Sequence, residues 1–202
     1  MNWPRPFEIG LQETRILAPA ATFAETFVAS GALACLDIFE PRLFEVLLRQ
    51  LEQASFVHEV VAKMGAREIE QPERTGNAIA LMLSRPALLR WVEELAGTGP
   101  LARVRGRVVQ ARAGEDHALG WHNDKGMERS VAITIDLSAE RFTGGDFELR
   151  RAGTQEMLTV HHHDAPGSAL LFRVDHGLEH RVLPVLSGGP RRVFTGWFFP
   201  PE

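Results

Sequence analysis

The spacing of apolar residues changes about halfway along the chain. From about Pro41 to Gly97 they recur at helical intervals: Phe44, Leu47, Leu48 and Leu51 form one i, i+3, i+4, i+7 stripe, and Leu88, Trp91, Val92 and Leu95 form another. Pro86, already bent for a first helical turn, and Gly97, suited to a left-handed stop, bracket the second helix. Both stripes read as core-facing surfaces rather than cofactor contacts. From Leu101 onward the period becomes two. Val131, Ile133, Ile135 and Leu137 alternate with Ser130, Ala132, Thr134 and Asp136, the pattern of a strand with one apolar face. Gly145–Arg150, Ser168–Val174 and Arg191–Phe199 are further strand candidates, separated by Gly, Pro, Ser and Asp. Helices followed by a run of strands predict an α+β fold, a β-sandwich or jelly roll with helices bracing one face.

Composition narrows the picture. A chain of 202 residues fits one domain with a real core, and 45% apolar with 24% charged residues is ordinary for a globular protein. The net charge of −4 gives no overall attraction for nucleic acid or an anionic membrane, so neither is an expected partner. Cys35 has no second cysteine to pair with and sits in an apolar run from Gly31 to Phe39, so it reads as a small core residue in a reducing, cytoplasmic setting. The opening Met-Asn-Trp-Pro-Arg-Pro-Phe-Glu lacks a signal-peptide pattern, and no stretch is apolar enough to span a bilayer. Oligomeric state is not legible.

The chemistry concentrates in the second half. Gly120-Trp121-His122-Asn123-Asp124 places an imidazole and a carboxylate at i and i+2, on the same side of an extended segment. His180, two strands further on, is the expected third ligand. Two histidines and one carboxylate leave three positions of an octahedron open, which suits Fe(II) that must also bind a bidentate co-substrate and dioxygen. Arg191 opens the last strand and shares a face with Val193, Thr195 and Trp197. Its planar fork can hold a carboxylate with two parallel hydrogen bonds, and Thr195 can add a hydroxyl. This is the arrangement 2-oxoglutarate requires: its keto acid on the metal, its far carboxylate on the guanidinium.

Several residues compete for these roles. His161, His162 and His163, with the pair His162-x-Asp164, look metal-like but read as a solvated turn. His176 competes with His180, and Arg192 with Arg191; strand alternation and spacing select His180 and Arg191. His58, in the helical stretch, and His117, in a polar loop at the entrance, read as structural or solvated. Phe147 and Trp197 are candidates for the pocket wall.

Taken in order, His122-x-Asp124, an alternating strand, Gly144-Gly145, Pro166-Gly167-Ser168 before Ala169-Leu170-Leu171-Phe172, His180-x-Val182, and Arg191 six residues before Trp197 resemble the Fe(II)/2-oxoglutarate dioxygenases, in their prolyl-4-hydroxylase-like branch. The resemblance covers Val108 to Phe199. It implies a double-stranded β-helix (jelly-roll or cupin-like) core over residues 101–202, supported by a mainly helical region, 1–100, in a single domain. It also implies oxidative decarboxylation of 2-oxoglutarate to succinate and CO2, coupled to hydroxylation of an unactivated C–H bond. Related halogenases carry a small residue where Asp124 stands, so Asp124 favours hydroxylation, with desaturation or demethylation still open. The chain has no Tyr, which many relatives use to bind the co-substrate; Gln110 or Arg112 is the expected substitute. The substrate implied is a small metabolite or a peptidyl residue such as proline, entering past the helical half and the loop from Lys125 to Arg129. Two other readings use the same residues: a cupin-like metal-binding or sensing protein without oxidation, and a metal-assisted hydrolase, for which no general base is indicated.

Overall fold

The computed structural model describes residues 3–62, 64–126, 129–163 and 165–202. Asp164 of the His162-x-Asp164 pair, and Met127 and Glu128 of the loop from Lys125 to Arg129, lie outside the described residues.

Four helices pack against an antiparallel sheet curled into a nearly closed barrel, the double-stranded β-helix architecture. In the first half the elements are β1 (Phe7–Ile9), β2 (Thr14–Ile16), α1 (Ala21–Ser30), β3 (Ala32–Cys35), α2 (Pro41–Glu52), β4 (Ser55–Val61), β5 (Gly65–Gln71), α3 (Arg74–Leu83) and α4 (Pro86–Ala96). In the second half they are β6 (Arg103–Ala111), β7 (Leu119–His122), β8 (Val131–Asp136), β9 (Phe142–Gly144), β10 (Phe147–Arg151) and β11 (Met157–His161). These are followed by β12 (Ala169–Arg173), β13 (Leu178–Val182), β14 (Val185–Gly188) and β15 (Arg191–Phe199). The main sheet runs β11-β10-β13-β7-β5-β6-β15-β8-β12-β3, with β4 paired to β5, while β14 pairs with β9.

The helices form where the apolar stripes place them. Pro86 occupies the first turn of α4, and Gly97 closes it in the left-handed conformation at φ 61°, so that a residue without a Cβ ends the helix without strain. Leu88, Trp91, Val92 and Leu95 are all buried. The first turn of α3 is held from outside: the buried Glu70 carboxylate at the end of β5 accepts the backbone N–H groups of Thr75 and Gly76, both at 2.9 Å, satisfying donors that a helix leaves free.

The first half holds all four of the described helices but is not purely helical. It contributes β3, β4 and β5 to the main sheet, and residues 55–71, expected to be helical, form the β4–β5 hairpin instead. Phe56, Val57, Val60 and Val61 are spaced as on a helix, but three of the four are β-branched and favour extended backbone. In the hairpin Val57 and Val60 are exposed, so their spacing does not mark a buried face. The apolar run around Cys35 is likewise a strand, with Cys35 paired to Ala169 of β12 and fully buried, its thiol pushed upward by burial and poorly suited to act as a nucleophile.

In β8 the alternation expected for a half-buried strand meets protein on both faces. Val131, Ile133 and Ile135 join Phe194, Phe198 and the helical core, while Ala132 joins Phe147, Leu149, Leu170 and Phe172 inside the barrel. β15 repeats the division, and its inner face carries the site.

Candidate active site

β7 and β13 pair so that His122 and His180 are direct cross-strand partners. Their rings lie 4.2 Å apart between centroids, and Asp124 follows two residues after His122. Asp124 Oδ1 is 3.8 Å from His122 Nε2, and Asp124 Oδ2 is 3.5 Å from His180 Nε2. One donor atom from each of the three lies within 4.8 Å of the others, a spacing that fits coordination to a single ion. No other such group of His, Cys, Asp or Glu occurs among the described residues.

Each side chain is oriented by protein before any ligand acts on it. His122 Nδ1 bonds the Gly120 carbonyl at 2.7 Å, which leaves Nε2 available to coordinate an ion. Trp197 Nε1 donates to Asp124 Oδ2 at 2.8 Å. His180 packs against the adjoining rings of Phe147 and Phe172, with centroids at 5.3 and 5.0 Å. Burial, with His122 close by and Asp124 opposing, lowers its pKa to about 4, so the ring is neutral and ready to donate a lone pair. Asn123, between His122 and Asp124, donates to the Asp175 and Leu178 carbonyls and accepts from Lys125 N–H, pinning the loop that carries Asp124.

The triad opens into a cavity of about 170 Å³ whose wall includes Arg191, Val193, Thr195 and Trp197, the inner face of β15. Arg191 is buried, and its Nε has no hydrogen-bond partner among the described residues. Burial lowers its pKa to about 10, against the opposing charges of Asp136 and Asp146, so it is a cation at neutral pH. Gly145 explains how it fits. A Cβ there would lie 2.5 Å from Arg191 Cδ and 3.1 Å from Nε, and the residue sits at φ 68°, so glycine serves both the turn and the passing side chain.

The competing residues separate cleanly. Arg192 points to the opposite face, over Phe56, and donates to Gln110 at 2.7 Å. His176 is exposed in a turn. His58 lies on β4, exposed, rather than on a helix. His117 is buried and lines the cavity, where its Nδ1 accepts the Arg112 N–H at 3.1 Å, so it is no loose loop residue. Gln110 is among the residues that line the cavity, but its side-chain amide is already engaged. It is the cross-strand partner of Arg192, not of Arg191, and its amide is held by Glu68 at 2.5 Å and by Arg192. Arg112 is tied outward to Glu68 at 3.1 Å and is half exposed. The histidine triplet is not a solvated turn either: His161 and His163 are buried and only His162 faces solvent, bonded to Asp146 at 2.8 Å. Alternation at the end of β11 carries that signal, since two inward histidines flank one outward.

Residues 108–199 match the family model described as the 2OG-Fe(II) oxygenase superfamily. The match takes in the triad and Arg191, makes the strand-rich half similar to that superfamily, and spans somewhat less than half of the chain. Oxygenases of this family use Fe(II), 2-oxoglutarate and dioxygen. No curated protein matches the chain in sequence. Among solved structures, an oxidoreductase of the 2OG-Fe(II) oxygenase family from Burkholderia pseudomallei is similar at 15% identity, with 95% of each chain covered and a TM-score of 0.63. A Pseudomonas putida prolyl-4-hydroxylase is similar at 16% identity, covering 91% of this chain and 100% of its own, with a TM-score of 0.65. A Trichoplax adhaerens prolyl hydroxylase, solved with a hypoxia inducible factor oxygen degradation domain peptide fragment, is similar at 16% identity over 89% of this chain and 88% of its own, with a TM-score of 0.63. These likenesses establish the shared fold. No helix of the described residues is long and apolar enough to cross a membrane.

Proposed function

We propose that the protein is an Fe(II)- and 2-oxoglutarate-dependent hydroxylase in which His122, Asp124 and His180 hold the metal. Arg191, with Thr195 beside it on β15, holds the far carboxylate of 2-oxoglutarate. The observation that carries this is the convergence on one cavity of a two-histidine, one-carboxylate donor set and a buried guanidinium with an unpaired Nε. The donor set suits ferrous iron with open positions, and the orphaned Arg191 Nε suits an incoming carboxylate. Bound iron supplies the oxidation of an unactivated C–H bond, coupled to conversion of 2-oxoglutarate to succinate and CO2. The chain's part is orientation: Trp197 fixes the Asp124 carboxylate, Gly120 fixes the His122 tautomer, and Phe147 and Phe172 keep the region around His180 apolar and shielded from water.

In this reading residues 1–202 act as one oxygenase domain, and the single buried Cys35 fits a cytoplasmic protein. The substrate is a small metabolite or a peptidyl residue such as proline. Likeness to the two prolyl hydroxylases supports the peptidyl choice at the level of fold analogy. A cupin-like metal sensor is less well supported, because metal binding alone has no use for a buried Arg191. The test is succinate formation from 2-oxoglutarate in air with added Fe(II). The wild type forms succinate, and Asp124→Ala and His122→Ala do not; turnover that survives His122→Ala contradicts the assignment.

A further inference from the structure

The histidine triplet continues the β10–β11 ladder towards the co-substrate anchor. Phe147 and His161 are cross-strand partners, and one step further Asp146 and His162 meet through their side chains at 2.8 Å on the outer face. Continued one step beyond the paired strands, the same register would set His163 opposite Gly145, on the side that His161 and Phe147 share. Gly145 is the residue whose missing Cβ makes room for the Arg191 side chain. The ladder therefore delivers His163 to the flank of Arg191.

His163 is buried and packs edge-on against His161, with ring centroids 4.5 Å apart. Neither of its ring nitrogens has a hydrogen-bond partner among the described residues, and neither has Arg191 Nε. A buried imidazole left unpaired costs free energy, and native structures seldom tolerate one without a ligand or function to complete it. Burial, with Arg191 close by and His161 and His162 adjacent, holds the ring well below the ordinary histidine value. It is therefore neutral, with one N–H donor and one lone pair. The same corner contains Asp136 and Asp146, whose charges act on Arg191; Asp136 Oδ1 accepts the Ser138 N–H and Asp146 is held by His162.

We propose that His163 is a second donor to the far carboxylate of 2-oxoglutarate, acting beside Arg191 in a chain that has no tyrosine for the purpose. The carboxylate takes two hydrogen bonds from the guanidinium fork and one from the neutral imidazole. This rests on the oxygenase reading above, and the experiment separates the two. 2-Oxoglutarate is titrated calorimetrically into the Zn(II)-loaded protein, as wild type, His163→Leu and His163→Gln. The leucine keeps much of the volume without a donor; the glutamine restores an N–H. Loss of one hydrogen bond to a charged group weakens binding by roughly tenfold to a hundredfold, so His163→Leu falls by that factor. His163→Gln stays within a few-fold of wild type, and Zn(II) affinity is the same in all three. In the wild type, which needs no variant to fold, the His163 ring nitrogen resonances shift when 2-oxoglutarate is added. Equal affinity in wild type and His163→Leu, a glutamine variant as weak as the leucine, or unmoved His163 resonances would each overturn the proposal. Absence of 2-oxoglutarate binding in the wild type would instead sink the oxygenase reading itself.

Discussion

The two ends of the cavity are built differently. At the metal end, orientation is complete within the protein: Asp124 receives Trp197 Nε1, His122 Nδ1 is bonded to Gly120, and His180 packs against two adjoining phenylalanines. At the anchor end, Arg191 Nε and both nitrogens of His163 are buried and unpaired among the described residues. In the proposed reading, the first end is preorganised to receive an ion and the second is completed by a ligand that brings its own acceptors. Changes at one end should therefore move metal affinity, and changes at the other should move co-substrate affinity, with little crossover.

The largest separation is expected from Arg191→Gln. Losing a charge-assisted pair, with each hydrogen bond to a charged group worth about 1.5–3 kcal/mol, raises the KM for 2-oxoglutarate on the order of a hundredfold or more. Metal uptake, followed by calorimetry, stays at the wild-type value. Trp197→Phe is the complement. It removes the hydrogen bond that fixes Asp124, and loss of such a partner weakens metal binding by about tenfold to a hundredfold while leaving the anchor intact. If 2-oxoglutarate affinity in the metal-saturated Trp197→Phe protein fell as far as metal affinity, the division would be wrong. Gly145→Ala should act at the anchor end alone: a methyl 2.5 Å from Arg191 Cδ, on a left-handed backbone, displaces the guanidinium and raises the 2-oxoglutarate KM by roughly tenfold.

The smallest effect is on stability against pH. His163 is held below the ordinary histidine value of 6.5 by burial. As pH falls past 6.5 the unfolded chain takes up a proton that the folded chain refuses. Its contribution is therefore fully present above that pH and is lost progressively below it. The midpoint of denaturant unfolding of the metal-free protein should fall more steeply with acid in the wild type than in His163→Leu.

How much was legible follows from the same physics. The convergence of His122, Asp124, His180 and Arg191 on one cavity could be read because strand alternation is strict: an imidazole two residues from a carboxylate, and an arginine sharing parity with Thr195 and Trp197, are set on a face by period. That Gln110 is paired with Arg192 rather than Arg191 could not be read, because it requires the register between β6 and β15, which no local pattern encodes. The β4–β5 hairpin was missed because its apolar residues fall at helical spacing while much of their surface is exposed, so periodicity carried the wrong message and β-branching the right one. The burial of His161 and His163 depends on β10 lying alongside β11, a tertiary fact hidden behind a run of three identical residues.

The claim that both ends form one co-substrate site is tested most directly by anaerobic calorimetry of 2-oxoglutarate with the Fe(II)-loaded and the metal-free wild-type protein. Binding should be clear in the loaded protein and much weaker without metal, because keto acid and far carboxylate then share a single molecule between His122, Asp124, His180 and Arg191. Stoichiometric uptake of Fe(II) with no affinity for 2-oxoglutarate would contradict it, and would leave a metal-binding protein that only has an oxygenase's fold.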